Sequence, residues 1–284
     1  MFELYEYRYR GPVLTGWDLE RVLAACPSGT ALVENRSREA RVECSGSTIC
    51  VEGSCFEAPR GGVKRDAVYT VEGGVLRPVE VRRGSGYMRL RVPGDGVHAT
   101  LEIDGIHMHR VAPGVDPWRD TLAKVRAARV RRGDVVLDTC MGLGYTAIAS
   151  LLRGARLVVT FEVDETVIWC AERNPHSQLL EAREAIIIHG DVVEAVRRLP
   201  DETFTVVIHD PPRFTSATGD LYSLEFYTHL YRLLRPGGRL FHYTGRPRGG
   251  TLLQGIARRL QQAGFARVRW VEEAQGFTAI KPRW

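Results

Sequence analysis

Val135-Val136-Leu137-Asp138-Thr139-Cys140-Met141-Gly142-Leu143-Gly144-Tyr145-Thr146 reads as a strand, a glycine turn and the start of a helix. An apolar run ends on an aspartate, and two glycines then turn the chain into a helix-like segment. A run that is apolar throughout suits a strand covered on both faces, as in a parallel sheet. Four more such runs follow: RLVVTFEV at 156–163, AIIIHGD at 185–191, FTVVIHD at 204–210 and RLFHYTG at 239–245. Helix-like segments lie near 120–130, 145–153, 165–173, 191–199, 221–235 and 252–264. Strand–helix alternation predicts parallel strands joined by right-handed crossovers. Ala266–Glu273 and Phe277–Pro282 are separated only by an Ala-Gln-Gly turn, which predicts an antiparallel hairpin at one edge.

Upstream the grammar changes. Residues 1–112 read as short strands and turns, with glycine pairs at Gly61-Gly62 and Gly73-Gly74 and turns at Gly84-Ser85-Gly86 and Gly94-Asp95-Gly96. Tyr87–Val92 and Ala99–Ile103 alternate apolar and polar residues, the mark of half-buried strands. One helix is predicted at Trp17–Ala25, with Asp18 near its start and Pro27 beyond its end. Ala112-Pro113-Gly114-Val115-Asp116-Pro117 reads as a linker. The expected organisation is therefore a β-rich domain over 1–112 and an α/β domain over 113–284.

Composition bounds the function more loosely. The chain has 284 residues, 44% apolar and 26% charged, which excludes a disordered tail, a collagen-like fibre and a disulfide miniprotein. The net charge is +5, which permits an anionic partner. Residues 1–112 hold 15 basic and 15 acidic side chains, so the whole excess lies in 113–284. Of the 39 basic residues only Lys64, Lys124 and Lys281 are lysine; the arginine bias reads first as codon usage. The N-terminus lacks the pattern of a signal peptide, and no apolar run approaches the length of a membrane span. The expectation is a cytoplasmic protein with no membrane association. Of six cysteines, Cys44, Cys50 and Cys55 match no common zinc spacing. Buried free thiols are the first expectation, with disulfides the alternative for a hyperthermophile source. The eight histidines show no metal spacing, so no metal is expected.

In an open parallel sheet, ligands bind beyond the carboxyl ends of the strands. After the first strand, Gly142 and Gly144 permit a tight turn and close approach of a ligand to the backbone. Alone, this Gly-x-Gly is compatible with a dinucleotide, a nucleoside or no ligand; the third position of the dinucleotide fingerprint is Ala147. The second strand ends in Phe161-Glu162-Val163-Asp164, and an acid there can accept from both ribose hydroxyls. The third ends in His189-Gly190-Asp191-Val192, where an aspartate can accept from an adenine amine. Singly, Asp164 and Asp191 read equally as helix N-caps.

The order Asp-x-x-x-Gly-x-Gly, Glu, Gly-Asp resembles the class I S-adenosylmethionine-dependent methyltransferases. The resemblance covers about 165 residues and implies a Rossmann-like seven-stranded sheet in the order 3-2-1-4-5-7-6. It implies S-adenosylmethionine as cofactor, with Asp138, Thr139, Met141, Gly142, Gly144, Tyr145 and Thr146 around its methionine part. Glu162, Val163 and Asp164 would hold the ribose, and Asp191 and Val192 the adenine.

The fourth strand ends in His209-Asp210-Pro211-Pro212-Arg213-Phe214. Two prolines end the strand and stiffen the turn. An exocyclic amine is a poor nucleophile because its lone pair is delocalised into the base. The Asp210 carboxylate and Pro211 carbonyl can accept its N–H bonds and favour the attacking geometry. The motif resembles the (Asp/Asn)-Pro-Pro-aromatic signature of amino-methyltransferases, with Arg213 in the aromatic's place and Phe214 one residue later. Together with Arg235-Pro236-Gly237-Gly238 and the pair His109-Arg110, it looks like an archaeal group that modifies ribosomal RNA, cytidine N4 being the implied target. His109, Arg110, Arg246 and Arg248 are then candidates for substrate binding, and RNA is the expected partner. Two rivals stand beside this reading: an aminopropyltransferase on the same fold, and a non-catalytic RNA-binding factor.

Overall fold

The structure is a computed structural model that describes every residue except Met1, Arg60, Ser85, Arg248, Gly249 and Trp284. The chain forms two compact units. One contains residues 1–7, 120–165 and 182–284; the other contains 8–119 and 166–181.

The first unit is built on one mixed sheet. Its strands are β1 (Glu3–Tyr5), β2 (Val135–Asp138), β3 (Leu157–Glu162), β4 (Ala185–His189), β5 (Phe204–His209), β6 (Leu234–Tyr243), β7 (Ala266–Val271) and β8 (Gly276–Ile280). Their order across the sheet is β1-β4-β3-β2-β5-β6-β8-β7. From β4 to β6 neighbours run parallel, whereas β8 pairs antiparallel with β6 and β7. The sequence led us to expect seven strands. The eighth, β1, pairs antiparallel with β4, bringing Glu3 opposite His189 and Tyr5 opposite Ile187. A three-residue strand has too short a pattern to be read from sequence, and only the sheet edge recruits it.

The helices from Pro117 onward are α1 (Pro117–Ala127), α2 (Tyr145–Leu152), α3 (Glu165–Glu172, which from Thr166 belongs to the second unit), α4 (Val192–Ala195), α5 (Leu224–Leu233) and α6 (Thr251–Gln262). Pro117 suits the first turn of α1, where a backbone N–H is not needed. The segment read as helical over 191–199 forms only the short α4. The core beside the sheet joins Leu137, Phe161, Val207 and Leu240 of the strands to Phe226, Tyr227 and Leu230 of α5 and Ile256 and Leu260 of α6. Burying one such side chain contributes roughly 1.5–3 kcal/mol.

The second unit holds three small antiparallel sheets. The first runs in sequence order through Ser28–Val33, Arg38–Ser45, Thr48–Val51 and Ser54–Glu57. The second pairs Val68–Glu72 with Val13–Thr15 and Val75–Pro78. The third joins Glu80–Arg83, Gly86–Arg91, Thr100–Ile103 and Ile106–His107. The predicted early helix spans Gly16–Ala24. Its capping box accounts for the boundary: Asp18 N donates to Thr15 Oγ1 at 3.1 Å, and Thr15 N donates to Asp18 Oδ2 at 2.7 Å.

The cysteines correct the first expectation. Cys26 pairs with Cys44, and Cys50 with Cys55. Cys50 and Cys55 face each other directly in the ladder, which a spacing of five residues around a hairpin makes natural. Cys140 and Cys170 are free thiols. The Cys26–Cys44 bond closes a loop of 18 residues. A loop of that size restricts the unfolded chain by about 3 kcal/mol. Cys26→Ser with Cys44→Ser should therefore lower the unfolding free energy of this unit by about 3 kcal/mol, read as an earlier urea midpoint under non-reducing conditions. Coincident midpoints would mean that the two thiols are unpaired.

Candidate active site

Parallel pairing sets every strand end of β2 to β6 on one edge of the sheet. Asp138 lies opposite Thr160 on β3 and Ile208 on β5, and His209 lies opposite His242 on β6. The turns after these strands are consequently neighbours.

The loop after β2 is held from below. Asp138 is fully buried; Thr146 Oγ1 donates to its Oδ1 at 3.0 Å and Thr160 Oγ1 to its Oδ2 at 2.7 Å. Burial raises its pKa from 3.8 to about 8, against the opposing pull of the two hydroxyls. It thus braces the turn and offers no surface to a ligand. Thr139, Met141, Tyr145 and Thr146 are also buried, so they shape the loop rather than line its outer face. Gly142 has φ +54° and Gly144, the residue capping α2, has φ +77°, conformations that favour glycine. A Cβ at Gly142 would meet nothing within 4 Å, so space above the loop is open.

Glu162 ties the second strand end to this loop. Its Oε2 accepts from Gly142 N at 3.0 Å, and its Oε1 accepts from Val163 N at 2.9 Å and Asp164 N at 3.1 Å. Burial raises its pKa, and these backbone donors oppose the rise. Asp164 is half-buried beside it, and Val163 is 65% exposed. At the third strand end, Asp191 is exposed and caps α4, accepting from Val193 N at 2.8 Å. Val192 is buried. For Asp191 the capping alternative is what the structure displays.

The fourth strand end has the strongest electrostatics. Lys124 on α1, only 2% exposed, places Nζ 2.7 Å from Asp210 Oδ2 and 3.0 Å from Asp120 Oδ2. The ammonium also lies 3.9 Å from the Tyr243 ring centroid. Burial alone would lower its pKa, but Asp210 and Asp120 outweigh that and raise it, so the lysine is charged. Burial raises the Asp210 pKa, and Lys124 counters it. Beneath, His209 is fully buried. Its Nε2 lies 2.9 Å from the Leu221 carbonyl and its Nδ1 2.7 Å from Thr139 Oγ1. A carbonyl can only accept, so Nε2 carries the proton and Nδ1 accepts from the hydroxyl. Burial lowers the His209 pKa to about 3. His242, 4.4 Å away ring to ring, is likewise neutral and lies 2.8 Å from Tyr227 Oη.

The double-proline turn is pinned where Tyr222 Oη donates to the Pro212 carbonyl at 2.7 Å. Pro211 is buried, while Pro212 and Arg213 are exposed. Phe214 is 49% exposed and meets Tyr222 edge-on at 5.3 Å. Arg246 forms an ion pair with Glu272 and is already neutralised. Arg248 lies outside the described residues. His109 and Arg110 belong to the other unit, where His109 Nδ1 lies 3.2 Å from Thr100 Oγ1.

The sequence reading missed Lys124, Asp120, Tyr222 and His209 as members of this cluster. For Lys124 a signal existed: one of three lysines in an arginine-rich chain, four residues after an aspartate. A compact ammonium fits between the carboxylates of Asp120 and Asp210 where a broad guanidinium does not.

The buried Asp138 makes a testable statement about stability. Its folded pKa of about 8 exceeds the ordinary 3.8, so the folded chain holds a proton that the unfolded chain releases. Its contribution is full below pH 3.8 and declines as pH rises to about 8. In Asp138→Asn, urea unfolding measured across that window should lose this decline. A variant with the wild-type slope would show that another group holds the proton.

A family model described as "Conserved hypothetical protein 95" matches residues 96–228. Ribosomal RNA large subunit methyltransferase I of Cronobacter sakazakii is 27% identical over 162 residues, and that of Yersinia pestis is 26% identical over 129. These alignments take in 55% and 43% of this chain, and the chain spans only 40% and 33% of those proteins' lengths. The fold is similar to spermidine synthase from Thermotoga maritima, with a TM-score of 0.55, 19% identity and 72% of each chain covered. A probable spermidine synthase from Corynebacterium glutamicum gives a TM-score of 0.54 at 13% identity, covering 72% of this chain and 79% of that one. Uncharacterized protein MJ1233 of Methanocaldococcus jannaschii is 50% identical over 203 residues, which cover 70% of this chain and 68% of that one. At that identity and coverage, the chain belongs to the same protein family as the Methanocaldococcus jannaschii protein.

Proposed function

We propose that the chain is an S-adenosylmethionine-dependent methyltransferase acting on an exocyclic amine of a nucleobase in RNA, with cytidine N4 of ribosomal RNA the favoured target. The observation that carries this reading is the paired Asp210 carboxylate in a double-proline turn, one strand from the open Gly142 loop. Similarity to two ribosomal RNA methyltransferases supports RNA as the substrate class.

The residues fit the cofactor on chemical grounds. The Gly142 face is open, and Val163 offers an exposed apolar side chain beyond Glu162. Three backbone amides occupy Glu162. A carboxylate has about four acceptor sites, so one remains for a ribose hydroxyl. The Gly142–Gly144 loop would hold the methionine part, with Asp138, Thr139, Met141, Tyr145 and Thr146 bracing it. Glu162, Val163 and Asp164 would meet the ribose, and Asp191 and Val192 the adenine. When bound, S-adenosylmethionine supplies a sulfonium methyl group as the electrophile.

The chain's own contribution is alignment. Asp210 and the Pro211 carbonyl accept the two N–H bonds of the amine, localising its lone pair toward the methyl. Tyr222 keeps the turn from relaxing. His209 is committed to Thr139 and Leu221 and does not serve as a base. Phe214 would stack on the base, and Arg213 would stack or hold a phosphate. Arg246 would exchange Glu272 for a phosphate, with Arg248, His109 and Arg110 as further substrate contacts.

The spermidine synthase likeness in fold raises a second reading, aminopropyl transfer to a polyamine. A cationic amine needs unpaired acids at this edge, whereas Asp210 already carries Lys124 and Arg213 stands exposed beside it.

S-adenosylhomocysteine should bind in calorimetry, and Glu162→Ala should abolish that binding. Asp210→Ala should spare binding and lower turnover by roughly 10²–10³-fold. Nucleoside mass spectrometry of the treated RNA identifies the product. Absence of S-adenosylhomocysteine binding would sink the reading, and aminopropyl transfer to a diamine would replace it.

A further inference from the structure

Lys124 has no place in the cofactor and substrate contacts above, yet it is among the largest fully buried side chains of the described residues. A buried ammonium is costly unless every proton finds an acceptor. Here Nζ donates to Asp210 Oδ2, forms an ion pair with Asp120 Oδ2 and faces the Tyr243 ring. The grip on Asp210 is one-sided. Only Oδ2 meets the ammonium, and the Asp210 side chain keeps 18% exposure. Among the described residues, the groups acting on Asp210 are Lys124 and Asp120 from α1, Asp138 from β2, Cys140 from the loop and Tyr222 from the turn Gly219–Tyr222, while Tyr243 of β6 faces the ammonium. Among them Lys124 is the one cation. Asp138, Cys140 and Tyr222 are held neutral by burial.

We infer that Lys124 is a positioning residue for methyl transfer: by holding Oδ2 it fixes the Asp210 carboxylate with Oδ1 turned to the substrate amine. The inference rests on the proposed reaction. Burial raises the Asp210 pKa, and Lys124 opposes that rise in the direction an acceptor of N–H bonds requires. Asp120 acts in the opposite sense, since its negative charge favours protonation of Asp210. It anchors the far side of the ammonium.

The pair is tested in variants that keep the buried charge balanced. In Lys124→Met/Asp120→Asn, S-adenosylhomocysteine affinity should stay within about threefold and KM for RNA should change little, while kcat falls roughly 10–100-fold. The acid limb of the kcat–pH profile should move up by about one unit or more. Asp120→Asn alone should move that limb down. A purely structural lysine would lower Tm and leave the limb in place, and a folded double variant with wild-type kcat and limb would overturn the inference. The 13C carboxyl titration of Asp210 in the S-adenosylhomocysteine complex reads the same shift without turnover. If the wild-type protein transfers no methyl group to any RNA, the proposed function fails by itself. The carboxyl titration then decides the role of Lys124, and an unshifted Asp210 would overturn it.

Discussion

The first unit depends on the confinement of β2 between two parallel neighbours. β2 is four residues long and buried along its whole length, and it pairs with β3 and β5 in fixed register. A slip of one residue would turn Asp138 to the opposite face. It would then lose Thr146 and Thr160 and leave a buried carboxyl without partners. Because Asp138 is neutral where it sits, the strand end tolerates it without a counter-charge. From that anchor the rest follows. The Gly142 loop rises from it, Glu162 reaches across to Gly142 from the next strand, and Asp210 emerges two residues beyond the pairing of Asp138 with Ile208.

The polar groups under this edge divide into two kinds. His209, His242, Tyr222 and Tyr227 form a ring of buried, neutral partners joined by hydrogen bonds and ring contacts. They keep the floor rigid and contribute no charge. At the Asp210 turn the charge sits on one ammonium and the carboxylates it pairs with. In a medium of low dielectric, a single oriented ion pair governs the local field far more strongly than it would at the surface. The arginines at the rim are of another kind. Arg246 is ion-paired with Glu272, and both are well exposed. Such a surface pair is worth only about 0–1 kcal/mol and can give way to another anion.

Much of this was legible in the residues alone. Apolar runs separated by amphipathic segments announce a parallel sheet, since both faces of each strand must be covered. Glycines at positions 142 and 144 announce a turn with positive φ, which the structure contains. The early helix is announced by Asp18 near its start and Pro27 beyond its end, residue types that favour helix boundaries. All of these are local properties, carried by side chains a few residues apart.

What the tertiary structure decided involves partners far apart in the chain. Nothing in the spacing of Lys124 and Asp210 shows that two residues 86 positions apart come to 2.7 Å. The recruitment of Glu3–Tyr5 to a sheet edge and the choice of Cys44 as the partner of Cys26 are of the same sort. By itself the sequence determined the periodicity, the turns and the chemistry available at each strand end. Which of those groups are buried, paired or left facing solvent was settled by packing. A side chain's charge state and reach depend on the dielectric and the neighbours that only the folded chain supplies.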